Sequence, residues 1–203
     1  LYEMWEEEEK SCPGCTVLRI SGGDNYTGTA VSSFFNSAPV AEIMGITEYK
    51  ISSVGNHEFD FGTAAFEHNR KVSGMEYLCA NLISTDLKNA FEPTLIYPVS
   101  DGKIAFTGAT TEELKQISFA SYLKDFMVVK PGAAVGRELK KNKNETDFQV
   151  VITHESAKVA RKWVKKLEVK PLIVFTGHEH IEIVKNYNDV LFVQTEGYLK
   201  SYA

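Results

Sequence analysis

Four of the five histidines in this chain lie where a predicted β-strand ends. They occur in the segments VGNHEFD, VITHE and FTGHEH, which contain His57, His154, His178 and His180. Asn56 precedes the first of them, and Asp24 follows another predicted strand in the segment SGGD. Imidazole nitrogens combined with amide and carboxylate oxygens suit divalent ions such as Zn, Mn, Fe or Co. The pattern therefore predicts metal-dependent hydrolysis.

The spacing of these residues fits one or two metal ions. His178 and His180 are separated by one residue, so they share a face of an extended segment but can diverge in a turn. Asp24 has two carboxylate oxygens and could bridge two ions, which lie about 3.5 to 4 Å apart in two-metal sites. His57 is followed at i+3 by Asp60, whose carboxylate can fix one imidazole tautomer. A protonated His57 could then donate a proton to a leaving oxygen.

Each of these residues also has a simpler structural interpretation. Asp24 alone could be a helix N-cap, Asn56 could be a turn residue, and a buried histidine is usually hydrogen-bonded within the core. Glu58 and Glu155 are predicted to be solvated in loops beside the candidate ligands. The shared position of four histidines at strand ends favours a site over these separate interpretations.

The elements that must position these residues alternate between strands and helices. Strands are predicted over residues 16–21, 49–54, 148–153 and 172–176, and helices over 58–72 and 155–167. Two hairpins are predicted around Asp101-Gly102 and Asn188-Asp189. Ligands in open α/β sheets bind beyond the carboxyl ends of strands, where the candidate residues lie. The sequence therefore predicts a layered α/β domain with mixed sheets between helices.

The composition excludes several other classes of protein. The chain has 203 residues, 43% of them hydrophobic, which suffices for one domain with a buried core. The net charge is -5 and the longest basic block is Lys140 to Lys143, so a nucleic acid polymer is not an expected partner. We find no apolar stretch long enough for a membrane span. Cys12 and Cys15 are predicted to lie in a turn that could hold a local disulfide.

The order of the motifs resembles that of the calcineurin-like metallophosphoesterases. The resemblance rests on Gly22-Gly23-Asp24, Gly55-Asn56-His57-Glu58, His154 and Gly177-His178-Glu179-His180. The longer segment from Gly55 to Asp60 with Gly62, together with Ala80-Asn81-Leu82 and the closing Val193 to Gly197, is similar to the 5′-nucleotidase branch. The resemblance runs from about Leu18 to Gly197, which is nearly the whole chain.

The resemblance implies a fold, a reaction and a role for each residue. The implied fold is a four-layer αββα sandwich, and the implied reaction is phosphomonoester hydrolysis in nucleotide catabolism, by in-line attack of a metal-bound hydroxide on phosphorus. Asp24 would bridge two metals, one completed by Asn56, His154 and His178 and the other bound by His180. His57 would be the general acid with Asp60 as its partner, and Asn56 and His57 would bind the substrate. The family also implies a small phosphoester substrate, such as a nucleotide, and an extracytoplasmic or cell-surface location.

Two departures from the family pattern change these expectations. The family begins with an Asp-x-His motif, but no His or Asp precedes Cys12. We therefore expect residues 1–203 to form a single, N-terminally incomplete catalytic domain in which one metal, rather than two, binds well. The chain also has no room for the C-terminal nucleotide-binding domain of the family. Two alternatives follow: a non-catalytic phosphoesterase-like binding module, and a phosphodiesterase acting on cyclic nucleotides or other diesters.

Overall fold

A computed structural model describes residues 2–198 and 200–203 of the chain. The helices are α1 (Tyr2–Ser11), α2 (Ala30–Phe34), α3 (Ala38–Ile46), α4 (Gly62–Ser73), α5 (Leu114–Ile117), α6 (Pro131–Asn142) and α7 (Ala157–Val164). The strands are β1 (Arg19–Ser21), β2 (Tyr49–Ser53), β3 (Glu76–Leu78), β4 (Leu82–Ser84), β5 (Thr94–Val99), β6 (Gly102–Thr110), β7 (Phe126–Val128), β8 (Phe148–His154), β9 (Ile173–Thr176), β10 (Ile183–Tyr187) and β11 (Val190–Gln194).

Two sheets face each other at the centre of the molecule. The first is parallel with the order β1-β2-β3, and the second has six strands in the order β10-β11-β9-β8-β6-β5. In the second sheet the four inner strands are parallel, and the outer strands β10 and β5 pair antiparallel through the two hairpins. Strands β4 and β7 form a separate antiparallel ribbon.

Alternating side chains of the inner strands build three apolar layers. Leu78 of β3 packs with Ile152 of β8 between the two sheets, whereas the preceding Tyr77 packs with the helices on the outer face. On the second sheet, Val151 faces α6 and α7 in the same alternating manner. Because both faces of these strands are covered, their residues are apolar on both sides. The layers confirm the predicted four-layer αββα sandwich.

Several predicted elements differ from the observed ones at their ends. The predicted helix over residues 58–72 is wrong at its start, since His57–Phe59 form a tight 3₁₀ turn and α4 begins only at Gly62. The turn lets the Glu58 side chain point back to the main chain of Gly55. The predicted helix over 155–167 begins later, because the Ser156 side chain caps α7 by accepting from the Val159 N–H. The short elements α2 and β4 were not predicted.

Candidate functional site

The candidate ligands lie where the carboxyl ends of both sheets meet. Asp24 and Asn56 follow strands β1 and β2 of the first sheet. His154 is the last residue of β8, and His178 follows β9 in the second sheet. Each sheet therefore carries two of the candidate ligands beyond or at the carboxyl ends of its strands.

Three of the candidate ligands form a compact group. One ligand atom from each of Asp24, His154 and His178 lies within 4.8 Å of the other two. The Nε2 atom of His154 lies 2.9 Å from Asp24 Oδ2 and 3.3 Å from His178 Nδ1. Among the described residues, this is the group of acidic, histidine and cysteine side chains whose geometry could hold a metal ion.

The hydrogen bond on the other side of the His154 ring fixes what its Nε2 can do. The Nδ1 atom lies 2.7 Å from the main-chain oxygen of Gly22, and because a carbonyl oxygen only accepts, Nδ1–H is the donor. In the neutral ring, Nε2 then carries a lone pair directed at Asp24 and His178. Because Asp24 Oδ2 also offers a lone pair at 2.9 Å, a proton or a metal ion is needed between these two atoms.

The pKa shifts of Asp24 and His154 also indicate that a positive charge is favoured between them. Burial would raise the pKa of Asp24, but the hydrogen bond and charge of His154 outweigh it, and the pKa is lowered. Burial would lower the pKa of His154, but the bond to Asp24 raises it above its usual range. Burial, together with repulsion from His154, lowers the pKa of His178. A neutral His178 beside a charged Asp24 is the protonation state that metal binding requires.

Asn56 adds a buried oxygen without a partner. The residue is 5% exposed, and its Oδ1 atom accepts no hydrogen bond from any described residue. An unsatisfied buried amide oxygen is destabilising by about 1 to 3 kcal/mol unless a ligand satisfies it. The side chain also offers no cap to the 3₁₀ turn that follows it, so the turn interpretation does not account for it. Binding of a cation by Asn56 Oδ1 would account for the missing hydrogen bond.

His57 and Asp60 form a hydrogen-bonded pair at the edge of the group. His57 Nδ1 lies 2.7 Å from Asp60 Oδ2, which also accepts from the Thr27 hydroxyl at 2.6 Å. The carboxylate therefore holds the proton on Nδ1 and leaves His57 Nε2 for another partner. The main-chain N–H of His57 donates to Asp24 Oδ1 at 2.8 Å, which links this pair to the candidate ligands.

His180 lies apart from the other candidate ligands. Its side chain is exposed, and the described metal-binding group does not include it. The ring packs edge-on against Tyr198 with 5.0 Å between centroids. Both His178 and His180 have left-handed φ angles, 75° and 54°. The two side chains diverge, since His178 contacts His154 and His180 contacts Tyr198.

Glu58 is buried, so the prediction that it is solvated is wrong. The side chain is 2% exposed, and its oxygens accept the main-chain N–H groups of Gly55 at 2.6 Å, Asp24 at 2.9 Å and Asn25 at 2.6 Å. Burial and the charge of Asp24 raise the pKa of Glu58 to about 7. A Cβ atom at Gly55 would lie 2.2 Å from Asp24 Oδ1, so only glycine permits this approach of the two loops.

Glu155 is also buried rather than solvated. It is 4% exposed, and the Trp163 indole donates to its Oε2 atom at 2.6 Å. Burial raises the pKa of Glu155. The bond joins the residue after His154 to helix α7, so Glu155 stabilises the end of β8. The sequence did not predict this hydrogen bond, because a tryptophan in a helix is ordinarily interpreted as an apolar packing residue.

Comparison with curated proteins finds relatives that are 31% and 34% identical to parts of this chain. A protein UshA(0) of Salmonella typhimurium, described as silent, is 31% identical over 151 residues, which cover 72% of this chain and 27% of that protein. A 5′-nucleotidase of Vibrio cholerae is 34% identical over 145 residues, covering 70% of this chain and 26% of that protein. The chain therefore spans about a quarter of the length of these relatives.

Solved structures show the same fold at lower identity. The 5′-nucleotidase precursor of Thermus thermophilus superposes with a TM-score of 0.80 at 20% identity, covering 93% of this chain and 41% of that chain. The family model described as calcineurin-like phosphoesterase matches residues 9–182, which is most of the chain. The protein thus belongs to the calcineurin-like phosphoesterase family.

Proposed function

We propose that residues 1–203 form a single catalytic domain of a metal-dependent phosphomonoesterase of the 5′-nucleotidase type. The observation that carries the proposal is the convergence of Asp24 Oδ2, His154 Nε2 and His178 Nδ1 beside the His57 and Asp60 pair. The Salmonella and Vibrio relatives support the 5′-nucleotidase branch in particular. A small phosphomonoester such as a nucleotide is the proposed substrate.

One divalent ion is the proposed cofactor, with Asp24, Asn56, His154 and His178 as its ligands. The donor set of two imidazoles, one carboxylate and one amide suits Zn, Mn, Fe or Co. A bound divalent ion would supply positive charge for the phosphate and lower the pKa of a water nucleophile. Within the described residues, the metal-binding group does not include His180, whose proposed role is to bind a second ion together with Asp24. We therefore propose that residues 1–203 form one complete site and supply part of a second.

The chain's own residues supply proton transfer and orientation. Asp60 holds the His57 ring with Nδ1 protonated, so a proton on Nε2 can pass to the leaving oxygen of the substrate. Asn56 and His57 are the proposed contacts to the phosphate. The hydrogen bond from the His57 N–H to Asp24 keeps the acid at a fixed position beside the metal ligands.

Metal removal and replacement test the proposed function. Protein treated with a chelator should lose hydrolysis of AMP and of p-nitrophenyl phosphate, and addition of Mn or Zn should restore it. Asp24→Asn should prevent the restoration, because it removes the charge that binds the ion. Failure of every metal to restore turnover, in the protein with its native N-terminus, would overturn the proposal. A diester substrate in the same panel distinguishes the phosphodiesterase alternative.

The exposed position of His180 favours one second candidate function. If the second ion is never bound, the crevice could bind phosphate or a partner without turnover. This candidate predicts that His57→Asn leaves phosphate binding unchanged while no substrate in the panel is hydrolysed. Measurable turnover that His57→Asn abolishes would exclude it.

The proposed location is extracytoplasmic or at the cell surface. Cys12 and Cys15 form a disulfide, as their spacing allowed, and such bonds persist mainly in oxidising compartments. Within residues 2–198 and 200–203, the structure has no helix with the length and apolar character needed to cross a membrane. Mass spectrometry of the protein isolated under thiol-blocking conditions would test whether the disulfide exists in the cell.

A further inference from the structure

Two aromatic side chains are exposed on the segment that follows α5. Phe119 is 61% exposed and Tyr122 is 42% exposed, and their rings meet edge to face with 5.9 Å between centroids. Single exposed aromatic residues are common on protein surfaces. A pair of rings beside a candidate active site presents an apolar surface, with one ring supporting the other edge-on, that a ligand could cover.

Two contacts place this segment beside the proposed general acid. The hydroxyl of Ser118 donates to the main-chain oxygen of Asn56 at 3.2 Å. The ring of Tyr122 lies over Gly62, where an added Cβ would approach its Cε1 atom to 3.4 Å. Asn56 and Gly62 bracket His57 and Asp60 in the chain. The aromatic pair therefore lies beside the loop that carries His57 and Asp60.

The segment is held firmly at both ends. Leu114 and Leu123 are fully buried in the core between the first sheet and its helices. Between them, the Tyr122 N–H donates to the Phe119 carbonyl at 3.0 Å and the Leu123 N–H donates to the Ala120 carbonyl at 3.2 Å. The two rings thus project from a short turn with fixed ends. A surface ordered before binding loses little conformational entropy when a ligand covers it.

We propose that Phe119 and Tyr122 form a subsite for the leaving group and that it takes a planar, unsaturated group such as a nucleobase. This inference rests on the proposed phosphomonoesterase function, because the leaving group is the part of the substrate that receives the proton. With the phosphate at the metal ligands, the leaving group extends past His57 toward the aromatic pair. Any planar base can stack on an aromatic ring. The subsite would therefore favour substrates that carry a base, without discriminating between different bases.

A pair of substrates that differ in the base tests the subsite. Hydrolysis of AMP and of ribose 5-phosphate breaks the same bond, between phosphorus and the 5-oxygen of a ribose, but only AMP carries a base to stack. In the variants Phe119→Leu and Tyr122→Leu, we expect KM for AMP to rise about tenfold with little change in kcat. Stacking of the base stabilises the bound substrate and the transition state equally, so its loss weakens binding without slowing the chemical step. The ratio of kcat/KM for AMP to that for ribose 5-phosphate should fall by the same factor.

Two further variants separate stacking from general damage. Tyr122→Phe keeps the ring and should retain the parent ratio. Phe148→Leu is the matched control, because Phe148 is 50% exposed at the amino end of β8, about 20 Å of strand away from His154. An unchanged substrate ratio in both leucine variants, with AMP still hydrolysed, would overturn the subsite and leave the proposed function standing.

A binding measurement keeps the subsite testable if turnover is absent. Adenosine contains the base without the phosphate, so its binding does not depend on the metal ligands. Saturation-transfer NMR should show adenosine bound to the parent protein and bound about tenfold more weakly by the two leucine variants. Equal binding by all three proteins, or none to the parent, would overturn the subsite. Absence of hydrolysis with ring-dependent adenosine binding would instead overturn the proposed function alone.

Discussion

Glu58 joins the two loops that carry the candidate ligands of the first sheet. Its carboxylate accepts main-chain N–H groups from the loop after β1 and from the loop after β2. Asp24, which one of these bonds holds, has a left-handed φ of 60° that is uncommon for a residue with a side chain. The position of the Asp24 carboxylate therefore depends on a residue outside the candidate ligand group.

We predict that Glu58→Gln weakens metal binding. The amide group of glutamine would turn a donor toward main-chain donors, so at least one of the three bonds would be lost. Changes in groups that orient metal ligands lower affinity by about 10-fold to 100-fold. Competition with a chromophoric chelator for Mn or Zn measures this loss, independently of turnover.

A surface glutamate provides the matched control for Glu58→Gln. Glu76 is exposed at the start of β3, so Glu76→Gln removes the same charge far from the ligands. We expect its metal affinity to stay within about twofold of the parent, since surface substitutions away from such contacts change energies by roughly 0.5 kcal/mol or less. Equal affinities for Glu58→Gln and Glu76→Gln would contradict the role of Glu58.

The thiol of Cys79 is predicted to be unreactive in the folded protein. The residue is fully buried, and burial raises the pKa of its thiol to about 11. Because the thiolate is the reactive form, both access and ionisation oppose labelling at pH 8. Ellman's reagent should detect no thiol in the native protein and one after unfolding in denaturant, provided that Cys12 and Cys15 stay joined. Rapid labelling of the native protein would contradict the burial of Cys79.

The types of the site residues could be predicted from the sequence, but the contacts that orient them could not. Histidine, asparagine and aspartate at strand ends indicate a metal site because their donor atoms are few and distinctive. Ser118 contacts Asn56 from a position 62 residues away, and no local pattern signals such a contact. Glu58 was misjudged because a buried carboxylate and a solvated one look alike in sequence.

At the scale of elements, residues typical of tight turns predicted the two hairpins reliably. Asn188 and Asp189 both have left-handed φ angles, 51° and 64°, as a two-residue hairpin requires. The other predicted hairpin also forms, but its turn residues are Ser100 and Asp101 rather than Asp101 and Gly102, because Gly102 already pairs with Val99. The predicted strand over residues 16–21 is shorter in the structure, because pairing with β2 begins only at Arg19. Strand length depends on the partner strand, which propensity alone does not identify.

Strand β6 carries a glycine where it passes close to the main chain at the end of β3. An added Cβ at Gly108 would lie 2.1 Å from the Leu78 main-chain oxygen, and the Ala80 N–H donates to the Gly108 oxygen at 2.8 Å. We predict that Gly108→Ala lowers the free energy of unfolding by about 1 to 3 kcal/mol or more, because backbone must move to admit the methyl group. Urea denaturation followed by circular dichroism measures the change.

A helical glycine is the control for Gly108→Ala. In α6, a Cβ at Gly136 would meet only the end of the Leu167 side chain, at 3.0 Å, which can rotate away. Alanine is favoured over glycine within a helix by about 1 kcal/mol. Gly136→Ala should therefore leave stability unchanged or raise it. A larger loss there than at Gly108 would contradict the close contact between the sheets.

At the scale of the whole molecule, the site exists only because the two sheets meet. Asp24 and Asn56 belong to the first sheet, whereas His154 and His178 belong to the second. The alternation of elements predicted a layered α/β fold, but it did not show which strands share a sheet. That assignment depends on contacts between residues such as Ile51 and Ile152, which are far apart in the chain.

A metal ion bound by both sheets should stabilise the whole fold. A ligand that binds only the folded state adds about 2.7 kcal/mol when its free concentration is 100 times Kd. For a domain of about 200 residues, this corresponds to a rise in Tm of roughly 5 to 10 °C. We expect Mn or Zn to produce this rise in metal-stripped protein, measured by differential scanning calorimetry.

Two aspartate variants distinguish specific binding from general salt effects. Asp24→Asn keeps the size of the side chain but removes the charge that the ion neutralises, so the rise in Tm should largely disappear. Asp101→Asn removes an equal charge from an exposed hairpin turn that also accepts asparagine, so the rise should persist. Equal rises in both variants would show that the ion binds elsewhere. A rise abolished only by Asp24→Asn would mean that metal binding at this crevice is coupled to the stability of the whole fold, since Asp24 is paired with His154 of the opposite sheet.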